Sequence, residues 1–247
     1  MLGIIGGSGL YSLGEHFALE EQASRKTPFG DTSADVLQGR WQDIPLAFLP
    51  RHGADHKVPP HRVNYRANIW ALKQLGVSQI IAINAVGGIT ADTPPLTLVL
   101  PDQIIDYSSG REHTFFDGDD AQVSHVDFSW PYSAELRGIL MEVGLQQGQP
   151  LVAAGTYGST NGPRLESAAE ITRLQQDGCN VVGMTGMPEA VLARELEIDY
   201  ACLALVVNWA AGVEDKAISM QEIMSNVEQG MQQVKSLLLA AARLIQQ

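Results

Sequence analysis

Strand-like and helix-like stretches alternate along almost the whole chain, and this alternation restricts the fold more than any other feature. Residues 3–5 are a short apolar run ending in Gly6-Gly7-Ser8-Gly9. Residues 35–41 and 44–50 read as two strands joined by a turn near Gln42-Asp43. Residues 63–75 carry Val63, Ala67, Trp70, Ala71 and Leu75 at three- and four-residue spacing, which reads as a helix. Residues 79–86 are almost continuously apolar, as a strand buried on both faces is. Helix 133–147, strand 151–159, helix 166–177, strand 180–185, helix 188–197 and strand 200–208 follow. A last helix opens at Ser219-Met220-Gln221-Glu222, where serine and glutamate can satisfy each other's orphan N–H groups as a capping box. The expectation is one α/β domain over residues 1–247, with a mixed, mainly parallel central sheet flanked by helices on both faces.

Open sheets of this kind bind ligands beyond the carboxyl ends of their strands. That rule directs attention to Gly6–Gly9, Pro50–Gly53, Asn84–Gly88, Gly183–Gly186 and Asn208–Gly212. In Gly6-Gly7-Ser8-Gly9, backbone N–H groups and the Ser8 hydroxyl can approach an anion; a tight turn explains the glycines equally well. Arg51 can clamp phosphate with two parallel hydrogen bonds and His52 can add another, or Arg51 can sit in a surface salt bridge. Asn84-Ala85-Val86-Gly87-Gly88 suits a loop pressed on a ligand, or a turn that needs positive φ. Thr185 reads as a residue at or just before a helix N-terminus, where free N–H groups attract anions, or as an ordinary cap with Met184 in the core. Asn208 closes an apolar strand; its amide can donate and accept on a heterocycle edge, or serve as a cap.

Composition narrows the partners. The net charge of -12 and the lack of a Lys/Arg cluster argue against a nucleic-acid face. The two cysteines, Cys179 and Cys202, lie in or beside apolar runs and read as buried free thiols. MLGIIGGSGLY lacks the basic n-region and long apolar run of a signal peptide, and residues 236–245 are too short to span a bilayer, so a cytoplasmic location is expected. His52, His56 and His61 lack a zinc-site arrangement, and G-x-S-x-G is absent, which argues against a metal site and a serine hydrolase.

Together these segments resemble the trimeric purine nucleoside phosphorylase family, its methylthioadenosine phosphorylase branch above all. The similar residues are Gly3–Leu10, Arg51-His52-Gly53, Val63–Leu72, Gly162-Pro163-Arg164 and Met184-Thr185-Gly186-Met187-Pro188-Glu189, so the resemblance covers nearly the whole chain. It implies phosphorolysis: phosphate attacks the ribosyl C1′ while the purine leaves. It implies no metal or organic cofactor, with inorganic phosphate as co-substrate. By position Ser8, Arg51, His52, Ala85 and Thr185 hold phosphate. Asn84 joins the phosphate-binding set, and both Ser8 and Asn84 stand where threonine is usual. Met184 lies under the ribose, and a homotrimer brings His125 from a neighbouring subunit to the 5′ end of the sugar.

The resemblance also points to the base pocket. The methylthioadenosine branch carries aspartates where this chain has Asn208 and Ala210, and serine where it has Glu166, next to Leu165. Enzymes specific for 6-oxopurines pair Glu with Asn at those places. A glutamate accepts from N1–H of hypoxanthine, whereas it opposes the N1 acceptor of adenine; such mismatches discriminate by roughly 10⁴. Asn208 can donate to O6 and to N7, and is the expected catalytic group with Arg51 and His52. Glu166 also fits the first turn of its helix as a dipole-favoured residue. Where 6-oxopurine enzymes bind the 5′-hydroxyl with histidine, the nearest match here is Met220, whose thioether packs on a methylthio group or in the core. The expected substrate is therefore methylthioinosine. Inosine or guanosine, then methylthioadenosine, are the alternatives; a nucleosidase using water and a non-catalytic purine- or phosphate-binding protein are more distant ones.

Overall fold

The structure is a computed structural model, and it describes residues 1–14, 17–23, 25–118 and 123–246. In chain order the elements are β1 (Leu2–Gly6), β2 (Phe17–Ala23), β3 (Lys26–Thr27), β4 (Gly30–Asp31), β5 (Val36–Trp41), β6 (Ile44–Pro50), α1 (Tyr65–Gln74), β7 (Gln79–Gly88), β8 (Leu98–Val99), β9 (Gln103–Asp106), α2 (Ala134–Gln146), β10 (Thr156–Ser159), α3 (Ala168–Gln176), β11 (Cys179–Gly183), α4 (Glu189–Glu195), β12 (Asp199–Trp209) and α5 (Met220–Ile245). The main sheet runs β2-β5-β6-β1-β7-β11-β10-β9, with β12 on β7 and β8 on β12. The pairs of β1 with β6 and β7, of β7 with β12, and of β10 with β9 and β11 are parallel. β2/β5, β5/β6, β7/β11 and β8/β12 are antiparallel. The α/β reading with a mixed, mainly parallel sheet therefore holds.

Alternate residues of the central strands feed two cores. Ile5, Ala47, Leu49, Ile80 and Ala82 pack on one face, with Leu72 of α1 and Ala190 and Leu192 of α4. Ile4, Leu46, Phe48, Ile81 and Ile83 pack on the other, with Leu136 and Leu140 of α2 and Val234, Leu237 and Leu238 of α5. Burial on both faces is why these strands read as unbroken apolar runs.

β7 is the hub. Its pairing with β1 ends at Ile5↔Ala82, and β11 joins only at Gly87 and Gly88. Between them the sheet splits beside Ile83–Val86, and the Ile83 carbonyl accepts from Arg51 Nη1 at 2.8 Å instead of from a strand. Gly7 lies against that carbonyl so closely that a Cβ would stand 2.3 Å from it. The cleft described below opens at this split.

Several boundaries differ from the sequence expectation. Of strand 151–159 only β10 is strand, with Val152 in an isolated bridge to Val99. α3 starts at Ala168 behind a reciprocal capping box of Ser167 and Glu170, so Glu166 lies outside the helix and gains nothing from its first turn. At α5 the expected box is half made. Ser219 accepts from the Glu222 N–H, but the Glu222 carboxylate takes Lys216 at 3.2 Å. β2, Phe-Ala-Leu-Glu-Glu-Gln-Ala, was not expected: it is an edge strand with an exposed centre, and pairing with β5 orders it in place of an apolar pattern. Among the described residues no helix is long and apolar enough to cross a membrane.

Candidate active site

A cleft of about 430 Å³ gathers the strand-end segments. It is lined by Ser8 after β1, Arg51 and His52 after β6, and Ala85 on β7. Met184 and Thr185 after β11, Leu165 and Glu166 before α3, Asn208 on β12, Ala210, and Met220 at the start of α5 also line it, as does the segment His56–Pro60. The volume falls in the range of small-molecule sites, about 300–1,000 Å³. Two residues named from the sequence do not line it: Asn84 and His125.

Arg51 is fully buried, and its bidentate fork is spent on Glu189. Nε donates to Oε2 and Nη2 to Oε1, both at 2.7 Å. The Tyr200 hydroxyl also donates to Glu189 Oε1 at 2.8 Å. Burial opposes the guanidinium charge, and the Glu189 carboxylate more than offsets it, so the pair is charged but neutral in sum. This corrects the expectation of a free phosphate fork or a surface salt bridge: with Nη1 bonded to Ile83 and the second Nη2 hydrogen directed at Asn84 Oδ1 at 3.5 Å, Arg51 keeps a single Nη1 hydrogen uncommitted. Glu189 closes the Met184–Glu189 motif, but nothing local in the sequence assigns it a partner. An acid just after a proline at a helix start reads as a dipole-favoured residue.

His52 is buried, and its Nδ1 donates to the Val58 carbonyl at 2.8 Å. Burial, with the Arg51 charge beside it, holds its pKa down to about 4. At neutral pH the ring is uncharged and Nε2 is its acceptor. That changes the expected role: the ring offers an acceptor suited to the P–OH hydrogen of hydrogen phosphate, not a second donor. It also sets a pH dependence. The unfolded histidine binds its proton near 6.5 and the folded one near 4, so the unfolded state holds more protons between those values and stability falls as pH drops through that window. The expected loss is about 3 kcal/mol, complete by roughly pH 4. Urea unfolding at roughly pH 7 and pH 4 should show it in the wild type and not in His52→Asn; equal losses in both would overturn it.

Asn84 stands behind the wall. Its Nδ2 donates to Thr185 Oγ1 at 2.8 Å, and its Oδ1 accepts from Cys202 Sγ at 3.4 Å. The Asn84 amide thus fills an acceptor site on Thr185 and leaves the hydroxyl hydrogen of Thr185 for a ligand. This corrects the expectation of Asn84 as a cleft residue: it stands behind Thr185 and does not line the cleft. Thr185 is also no cap: α4 begins at Glu189 with Pro188 at its N-cap. The Thr185 N–H points to the Tyr157 hydroxyl at 3.4 Å. Burial pushes that phenol up to about 12, so it remains a neutral partner. Gly183 has no room for a side chain, since a Cβ would lie 2.1 Å from the Tyr157 oxygen.

At the other end, the Thr160 hydroxyl donates to Glu166 Oε1 at 2.7 Å, which leaves Oε2 to accept from a ligand. Sequence reasoning missed Thr160. Asn208 follows an irregularity in the β12–β7 register, and its Nδ2 donates to the Trp209 carbonyl at 2.7 Å. One amide hydrogen and Oδ1 remain. Met220 is 62% exposed at the rim, so it is not a core methionine. His125 is exposed and away from the cleft of its own chain. Among the described residues no three His, Cys, Asp or Glu side chains group as metal ligands.

The cleft combines anion donors at the glycine loop and Thr185 with a carboxylate and an amide at the opposite end. The chain matches the Phosphorylase superfamily over residues 1–243 and belongs to that family. It is 50% identical to a probable S-methyl-5′-thioinosine phosphorylase of Pseudomonas syringae pv. tomato, with 95% of each chain covered. It is 44% identical to the 6-oxopurine nucleoside phosphorylase of Pyrococcus furiosus, over 99% of this chain and 92% of that one. Methylthioadenosine phosphorylase from Schistosoma mansoni in complex with adenine shares the fold at a TM-score of 0.92 and 32% identity, over 99% of this chain and 91% of that one.

Proposed function

We propose that the protein catalyses phosphorolysis of S-methyl-5′-thioinosine to hypoxanthine and 5-methylthioribose 1-phosphate. The observation that carries this is Glu166, held through one carboxylate oxygen by Thr160 with the other free. The free oxygen accepts N1–H of a 6-oxopurine, and the remaining Asn208 amide hydrogen favours O6 or N7 as negative charge moves onto the leaving base. A phosphate oxygen bonds to C1′ as the C1′–N9 bond breaks, and its electron pair leaves with the purine. Ser8, the glycine loop, Ala85, Thr185 and the last Arg51 hydrogen hold the phosphate; His52 accepts a hydrogen bond from its P–OH, and the proton that phosphate gives up on forming the ester passes through water to the leaving purine, which departs as neutral hypoxanthine. Met184 and Leu165 flank the sugar and base, and Met220 meets the methylthio group. Ala210 gives the base pocket no acid. In the homotrimer we infer, His125 of a neighbouring subunit closes the 5′ end. A cytoplasmic site of action and independence of metals and organic cofactors complete the reading.

The deciding assay compares release of free base from methylthioinosine, inosine and methylthioadenosine, with and without phosphate and in excess EDTA. Methylthioinosine should be cleaved fastest, only with phosphate, and at the same rate in EDTA. Inosine cleaved as fast or faster, a preference for methylthioadenosine, cleavage without phosphate, or no base release would each overturn the proposal.

A further inference from the structure

Three segments that wall the cleft meet behind it at one guanidinium. Arg111, in the stretch between β9 and α2, donates through Nη2 to the carbonyls of Thr160 at 3.2 Å, Asn161 at 3.0 Å and Met184 at 2.9 Å. Its Nη1 donates to the Met187 carbonyl. Its Nε is buried without a partner, so its hold rests on the terminal fork. The cation lies over the Tyr65 ring, 5.4 Å from the centroid, and the Tyr65 hydroxyl donates to the Pro60 carbonyl at 3.0 Å. None of these acceptors is a carboxylate.

The acceptors divide by function. Met184 and Met187 bracket Thr185, which stands at the phosphate end. Thr160 holds Glu166 at the base end, so Thr160 and Asn161 begin the loop that aims the purine acceptor. Pro60 lies on the cleft wall. A planar cation that presents several N–H groups in fixed directions can bind carbonyls of two loops at once, whereas an ammonium is a compact point charge. Tyr65 belongs to the Val63–Leu72 segment, which the catalytic reading leaves without a task.

We infer that Arg111 is a positioning residue: it fixes the separation of the Thr185 loop and the Glu166 loop, so that phosphate and purine sit at reacting distance. The inference rests on the phosphorolysis reading for what each loop holds. Loosening this strut should disturb both substrates together, because neither loop then has its register to the other. A misplacement of about 1 Å can cost about 100-fold in rate.

The test uses full-length Arg111→Ala and Arg111→Lys, shown to be folded by circular dichroism and assayed well below their melting temperatures. Arg111→Ala should lose about 100-fold in kcat/KM, with KM raised for phosphate and for the nucleoside. Millimolar methylguanidinium should restore part of that activity and leave the wild type unchanged. Arg111→Lys keeps the charge without the fork and should stay nearer to Arg111→Ala than to the wild type. A folded variant with wild-type KM for both substrates, or a rise for one substrate alone, would overturn the inference, as would a failure of methylguanidinium to rescue. If Arg111→Ala does not fold, Arg111→Lys decides by the same KM criteria. A wild type that cleaves no nucleoside would overturn the functional reading instead. Calorimetry with inorganic phosphate and hypoxanthine then decides: weakened binding of both by Arg111→Lys supports the strut, and unchanged binding overturns it.

Discussion

Replacing Glu166 by glutamine should collapse the discrimination between methylthioinosine and methylthioadenosine by roughly 100-fold or more. The side chain lies outside α3, and its position is set by the Thr160 hydroxyl at 2.7 Å. A carboxylate can only accept, so it matches N1–H of hypoxanthine and opposes the N1 lone pair of adenine. An amide of the same shape can turn either its oxygen or its nitrogen toward the base, and it keeps a partner for Thr160 in either orientation. The expected result is a fall in kcat/KM for methylthioinosine together with a rise for methylthioadenosine. Steady-state kinetics on both nucleosides check it, and an unchanged ratio would move the base pocket elsewhere. Converting Asn208 and Ala210 to aspartate with Glu166→Ser should carry the preference further toward adenine.

Glu189→Ala should be the most damaging single substitution for stability, at a cost of about 3–5 kcal/mol. Both side chains of the Arg51–Glu189 pair are 0% exposed, so the change strands a guanidinium in a dry interior and also removes the Tyr200 partner. Arg51→Met together with Glu189→Leu removes both charges and should recover much of the stability, because well-packed apolar residues often replace a buried pair without loss. That double variant should still fail to bind phosphate. Denaturant unfolding with phosphate titration separates the two effects. A cost below about 1 kcal/mol for Glu189→Ala would mean that water reaches the stranded charge.

These two sites differ in how legible they were. The place of Glu166 after Gly162-Pro163-Arg164-Leu165 puts it on the cleft, although the helix begins two residues later than the sequence pattern predicts. A capping box at Ser167 and Glu170 starts the helix there, and the box expected at Ser219 is half made because Lys216 competes for Glu222. Glu189 was visible but without meaning. Its partner is 138 residues away, and no local pattern encodes a contact at that distance. Asn84 failed for a related reason. A residue in the middle of a strand end can face the cleft or the layer behind it, and only the packing of Thr185 and Cys202 against it decides which. β2 shows the same limit for the fold, since Glu20, Glu21 and Gln22 hide a strand that pairing alone creates.

The sequence by itself determined the α/β architecture, the ring of glycine-rich strand ends and most of the cleft lining. Apolar periodicity and turn residues act locally and survive in one dimension. Only the tertiary structure decided how Arg51 is neutralised, that the Nδ1 proton of His52 is committed to Val58 and leaves Nε2 as an acceptor, that Asn84 supports Thr185 from behind, and that Arg111 joins two loops. Each of these depends on which donors and acceptors burial brings within about 3 Å of one another, and that is a property of the packed chain.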